Sequence, residues 1–144
     1  MISFPEWYMR HAQVAACKSK DSTRVGAALI SAEGVVCLTA YNGPPRGVED
    51  KPERFERPAK YLYASHAEQN LVAFAARLGI RTGGGTVYVT HTPCASCARS
   101  LIQAGIVCVV AGDGQTSMPR EEFLAAVEMF AEAGVAVRRV EDLG

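Results

Sequence analysis

From Ser65 to the C-terminus, stretches of helical periodicity alternate with short strand-like runs, and this alternation limits the chain to one fold class. SHAEQNLVAFAARLG (65–79) reads as a helix, with Ser65 or His66 near its N-cap and Gly79 at its end. TVYVT (86–90) and IVCVVA (106–111) are continuous apolar runs, the pattern of strands covered on both faces. Cys94–Ala104 lies between them as a helix opened by Pro93 and closed by Gly105. Met118–Ala133 is expected as a further helix and Val135–Val140 as a last strand. A helix between two strands carries the chain back to the end where it started, so such strands pair in parallel.

The N-terminal part is different. Residues 5–18 read as an amphipathic helix, with Pro5 in the first turn and Trp7, His11, Val14 and Cys17 near one face. Arg24–Ser31 and Val35–Tyr41 are apolar, β-branched runs separated by Ala32-Glu33-Gly34, a hairpin pattern. Asn42–Lys60 carries Pro44, Pro45, Pro52, Pro58 and three arginines, and is expected to be a long loop. Loops of that length in compact domains are more often functional than not. Residues 1–144 have the size of a single domain, with no internal repeat. The expectation is a mixed sheet with helices on both faces.

Fifteen basic residues balance fifteen acidic ones. A net charge of zero argues against a polynucleotide as main partner and leaves room for a small phosphate pocket. The first twenty residues scatter charges among apolar positions, unlike a signal peptide or membrane helix, so a cytoplasmic location is expected. The five cysteines should then be reduced, and a close pair points to metal or redox chemistry.

That pair is Cys94-Ala95-Ser96-Cys97, preceded by Pro93; upstream stands His66-Ala67-Glu68. A Cys-x-x-Cys at a helix start puts both sulfurs on one side, where free N–H groups and the helix dipole favour thiolates. One imidazole completes a three-ligand set suited to Zn²⁺, with a fourth position open to water whose pKa the ion lowers. Glu68, beside that water, is the candidate acid/base. His-x-Glu with Pro-Cys-x-x-Cys and a non-ligating Glu is the pattern of zinc nucleobase deaminases. Other readings stay open: a redox dithiol, or a four-ligand structural zinc with His91 as the extra ligand. Cys17, Cys37 and Cys108 read as small buried hydrophobes. His91 is placed by preference at a pocket rim, and His11 on a helix face.

At HAEQN, VYVTHTPCASCARSLIQAGI, RVGAALI and YNGPPRG, from about residue 20 to about residue 112, the chain resembles the deoxycytidylate (dCMP) deaminases. The form His-Ala-Glu-x-Asn ending at Asn70, the phrase SLIQAGI and the loop 41–47 narrow the match within the cytidine-deaminase-like superfamily. The resemblance implies a three-layer α/β/α fold with a mixed five-stranded sheet. It also implies hydrolysis of dCMP to dUMP and ammonia, which supplies dUMP for thymidylate synthesis, by a homo-oligomer that is often a hexamer. Many relatives are activated by dCTP with Mg²⁺ and inhibited by dTTP.

Carried over by residue, the resemblance makes His66, Cys94 and Cys97 the zinc ligands and Glu68 the acid/base. The backbone of Ala67 would meet the pyrimidine carbonyl, and Asn42 the sugar or phosphate, with Arg24 and Arg46 as charge partners. Asn42 has a plainer reading, since Asn-Gly is ordinary turn chemistry. Phe74 and Arg77, three apart on one helix face, fall at positions tied to subunit contact and effector response.

Two departures stand out. Asn42–Ser65 has no Cys or His for the second, structural zinc of many relatives. After the strand following SLIQAGI the chain reads VVAGDGQTSMP, without the tyrosines relatives carry there. The phosphate pocket must therefore be built differently, or the substrate differs. Alternatives are a modified cytosine nucleotide, a free nucleoside, a riboflavin-pathway intermediate, tRNA adenosine, or a non-catalytic zinc-stabilised module.

Overall fold

Residues 1–143 are described by a computed structural model. In chain order the elements are α1 (Phe4–Ala16), β1 (Gly26–Ile30), β2 (Cys37–Tyr41), α2 (Lys60–Tyr63), α3 (Ala67–Leu78), β3 (Thr86–His91), α4 (Ala95–Gln103), β4 (Cys108–Gly114), α5 (Arg120–Glu132) and β5 (Ala136–Arg139). The strands form one five-stranded sheet in the order β2-β1-β3-β4-β5. β1 pairs antiparallel with β2 and with β3, while β3, β4 and β5 run parallel. The hairpin and the crossover half thus share one mixed sheet, as the patterning required.

Strand alternation separates two apolar layers. Ala27, Leu29, Val87, Val89 and Val109 face α3, α4 and α5, meeting Leu71, Ala75, Leu101 and Phe130. Ala28, Ile30, Tyr88 and Val110 face the other way, against Met9 and Ala12 of α1. Full burial of side chains such as Leu71 and Leu101 contributes about 1.5–3 kcal/mol each.

On α1 the inward face is not the one the aromatic pattern suggests. Trp7 is 44% exposed and Val14 69%, and Cys17 is exposed. The reason is how closely α1 lies on β1: a Cβ at Gly26 would overlap the Ala12 carbonyl oxygen. At that close approach only a residue as small as Ala12 fits, while Met9 fills the wider space one turn earlier and Trp7 and Val14 are left outward. Trp7 instead stacks on Tyr8 and receives the His11 ring edge-on.

Three other expectations need correction. Cys37 is exposed on the edge strand β2, Cys17 is exposed at the end of α1, and Cys108 is only half-buried at the start of β4. The segment 42–60 is largely irregular, but Pro52–Phe55 forms a 3-10 turn and α2 begins at Lys60, which is buried on an ion pair with Asp21. The last strand is limited to Ala136–Arg139, an exposed edge protected by Arg138 and Arg139, because Val140 enters a closing 3-10 turn. Among the described residues no helix is long and apolar enough to cross a membrane.

Candidate active site

The N-termini of α3 and α4 converge on one point. His66 is the extended residue before α3 and Cys94 the extended residue before α4, while Cys97 lies in the first turn of α4. Gln69 links the two ends: its Oε1 accepts from the His66 backbone N–H at 3.0 Å and its Nε2 donates to Ser96 Oγ at 2.9 Å. Ser65 and Gly43 exchange both backbone hydrogen bonds, so the start of the 42–60 segment is pinned beside His66. Asn70 Nδ2 donates to the Tyr41 carbonyl at 2.8 Å, fixing the end of β2 to the same helix.

His66 Nδ1 lies 3.2 Å from Cys97 Sγ and 3.4 Å from Cys94 Sγ. The three ligand atoms all fall within 4.8 Å of one another, the group among the described residues able to hold a metal ion. Zn–N and Zn–S bonds in a tetrahedron set an N···S edge of about 3.5 Å, so the donor set fits zinc in type and size.

The charges agree with that use. The hydrogen bond from Cys97 and the pairing with His66 bring the Cys94 thiol down to about 4, against the opposing effect of burial. Cys97 is pushed up, by its hydrogen bond to Cys94 and by burial. Cys94 is thus the more readily deprotonated of the two, and because a metal is held by thiolates its ligation would displace the remaining thiol proton. The hydrogen bond to Cys94 raises His66, with burial opposing. Glu68, only 4% exposed, is raised above the ordinary carboxylate range by burial. It is held ready to carry a proton.

Above this floor lies a cleft of about 120 Å³. His66, Ala67, Glu68, Cys94, His91 and Asn42 all line it. The Asn42 amide is engaged with backbone, accepting from Val25 N–H at 3.0 Å and donating to the Thr23 carbonyl at 2.9 Å. It shapes the wall where β1 begins. His91 follows a bulge between β3 and β4 and pairs through Nδ1 with Thr90 Oγ1 at 2.7 Å. Thr90 Oγ1 also accepts from Gly26 N–H, so it ties the His91 ring to the start of β1. The ring rests on Gly114, where a Cβ would come within 2.6 Å of it. Burial lowers the His91 pKa and keeps the ring neutral.

Arg24, Arg46, Phe74 and Arg77 are not among the cleft-lining residues. Arg24 is exposed; Arg46 stacks over the Phe74 ring, 5.2 Å from its centroid, so cation and aromatic occupy each other on the outer side of α3. Arg77 is exposed on that helix.

Residues 2–113 match the family described as the cytidine and deoxycytidylate deaminase zinc-binding region. The chain belongs to that family. Among its relatives, an uncharacterized deaminase encoded in the luxG 3′ region of Aliivibrio fischeri is 37% identical over 134 residues, covering 90% of this chain and 88% of the relative. The human deoxycytidylate deaminase is 33% identical over 145 residues, covering 96% and 80%. The solved dCMP deaminase of cyanophage S-TIM5, in complex with dCMP and dUMP, superposes with a TM-score of 0.77 at 23% identity, covering 96% and 99%, a likeness of fold. The three-layer α/β/α architecture is thus that of the cytidine-deaminase-like proteins.

Reading the sequence alone missed part of this deaminase's cleft. Arg57, Lys60 and Tyr61, from the start of α2 and the turn before it, line the mouth, as do Thr116 and Ser117 from the segment after β4. No spacing rule marks them. The available signal was chemical: TS in GDGQTSMP supplies two hydroxyls just past the end of β4.

Proposed function

We propose that this single domain hydrolyses dCMP to dUMP and ammonia, with His66, Cys94 and Cys97 holding one zinc ion and Glu68 moving the protons. The observation that carries the reading is the buried Glu68 carboxyl beside a three-residue zinc set at the bottom of a cleft. A structural zinc site has no use for an acid there. When bound, zinc supplies a water whose pKa is lowered toward neutrality.

Glu68 would relay the two protons of the attacking water, one to N3 of the ring and one to the exocyclic amine, as the C4–O bond forms and the C4–N bond breaks to release ammonia. The Ala67 backbone meets the pyrimidine carbonyl, His91 lines the rim of the cleft, and Asn42 shapes the sugar wall. Shared family membership and the names of the curated relatives support the cytosine nucleotide as substrate.

The reading extends to a cytoplasmic homo-oligomer, a hexamer by preference, with dCTP (accompanied by Mg²⁺) and dTTP as effectors. Exposed apolar side chains support the oligomer: Phe4 and Val14 on α1, and Leu124 and Val127 on α5. Phe74 and Arg77, outside the cleft, are assigned to subunit or effector contact.

Ammonia release from dCMP, CMP, deoxycytidine, dCTP, 5-substituted dCMP and a tRNA anticodon stem tests the substrate. dCMP is expected to give the highest kcat/KM. Faster turnover of unphosphorylated deoxycytidine would refute the nucleotide assignment.

A further inference from the structure

One cation at the cleft has no acidic partner beside it. The charged side chains of the lining, imidazoles and the metal-site thiols apart, are Asp21, Arg57, Lys60 and Glu68. Lys60 Nζ lies 3.0 Å from Asp21 Oδ1 with both side chains buried, so that pair is neutral as a unit. Glu68 belongs to the metal floor. Arg57 remains, and among the described residues it has no carboxylate within ion-pair distance.

Its hydrogen bonds go to neutral oxygens instead. Arg57 Nε donates to the Tyr61 hydroxyl and Nη2 to Ser117 Oγ, both at 2.6 Å. Tyr61 belongs to α2 and Ser117 follows β4, so the guanidinium is braced from both sides of the cleft mouth. A guanidinium carries five N–H groups in a planar fork that matches phosphate oxygens, and these two bonds leave several of them for a ligand. One residue before Ser117, the Thr116 hydroxyl lines the same cleft, buried and without any hydrogen-bond partner. A buried hydroxyl left unpaired is unfavourable, and a ligand oxygen relieves it.

Size points the same way. About 120 Å³ of cleft is well under the roughly 300–1,000 Å³ of pockets that enclose a drug-sized ligand. The floor takes a pyrimidine ring, and a charged tail must lie at the mouth.

We propose that Arg57, braced by Tyr61 and Ser117, is the anion clamp of this cleft and seats the 5′-phosphate of a nucleoside monophosphate, with the Thr116 hydroxyl as a further contact. The clamp rests on the reading of the cleft as a nucleotide deaminase site. It takes the part expected of Arg24 and Arg46, which are not among the cleft-lining residues.

The test compares zinc-loaded wild type with Arg57→Gln, Arg57→Lys and Thr116→Val. Arg57→Gln should lower the kcat/KM preference for dCMP over deoxycytidine by about 10- to 100-fold, mostly through KM. Arg57→Lys should fall between, because it keeps the charge and loses the fork, and Thr116→Val should cost a few-fold. Inorganic phosphate should compete with dCMP in wild type and not in Arg57→Gln. An unchanged preference in Arg57→Gln, or an equal loss on both substrates, overturns the clamp. Thermal-shift titration with dCMP, deoxycytidine and inorganic phosphate decides it apart from turnover. If wild type deaminates neither substrate, the activity reading fails; the clamp still stands if dCMP and phosphate protect wild type but not Arg57→Gln, and falls if they protect both equally.

Discussion

The floor of the cleft and its mouth are built on different principles. The floor is held by the first turns of two packed helices, with His66, Cys94 and Cys97 within 4.8 Å and Glu68 buried among them. The mouth comes from the turn before α2, α2 itself and the segment after β4, and its polar groups are the exposed Tyr61 and Ser117 hydroxyls, the buried Thr116 hydroxyl, the Arg57 guanidinium and the buried Lys60 ammonium. Rigid elements fix the reaction, because ligand geometry tolerates little error. Irregular segments such as those at the mouth can change without disturbing the sheet, which suits them to the proposed choice of substrate.

Removing the metal tests the floor and has the largest effect. Chelation, or Cys94→Ser or Cys97→Ser, should take bound zinc from one equivalent toward none and abolish ammonia release, with chelated wild type recovering on added Zn²⁺. Retained turnover without zinc would break the division between floor and mouth.

At the mouth, Lys60→Met leaves the buried Asp21 carboxylate without its partner and should destabilise the protein by about 3–5 kcal/mol in urea. The double variant Asp21→Asn/Lys60→Met should recover most of that, because Asn still accepts from Thr23 N–H, as Asp21 does at 2.9 Å. Zinc content should stay at one equivalent in both. Zinc loss in parallel with stability would show that the two regions are one unit.

A smaller effect is expected where they meet. Gly114→Ala crowds the His91 ring and should cost about 1–3 kcal/mol of stability. Repeating it in a His91→Ala background should remove most of the penalty, and a cycle with no coupling between the positions would contradict the packing described.

The same division decides what could be read from the sequence. His66-x-Glu68 and Cys94-x-x-Cys97 are local patterns, and a helix start turns each into one fixed geometry. The alternation of TVYVT, a helix and IVCVVA likewise dictates parallel strands. Arg57 and Ser117 are sixty residues apart, and only the folded chain brings them together. On α1 the reading failed for a packing reason: contact at Gly26 demands Ala12 inside and leaves Trp7 and Val14 outside. Cys37 and Cys17 were misplaced because an apolar neighbourhood in the sequence does not distinguish an edge strand or a helix end from the core.

Glu68→Gln tests the central claim most directly, since it keeps the shape and hydrogen-bonding capacity of the side chain and removes only its proton chemistry. Measured together on dCMP, zinc content and ammonia release should separate: one equivalent of zinc retained, and turnover lower by about 100- to 10,000-fold. Turnover at the wild-type rate with zinc in place would contradict the account.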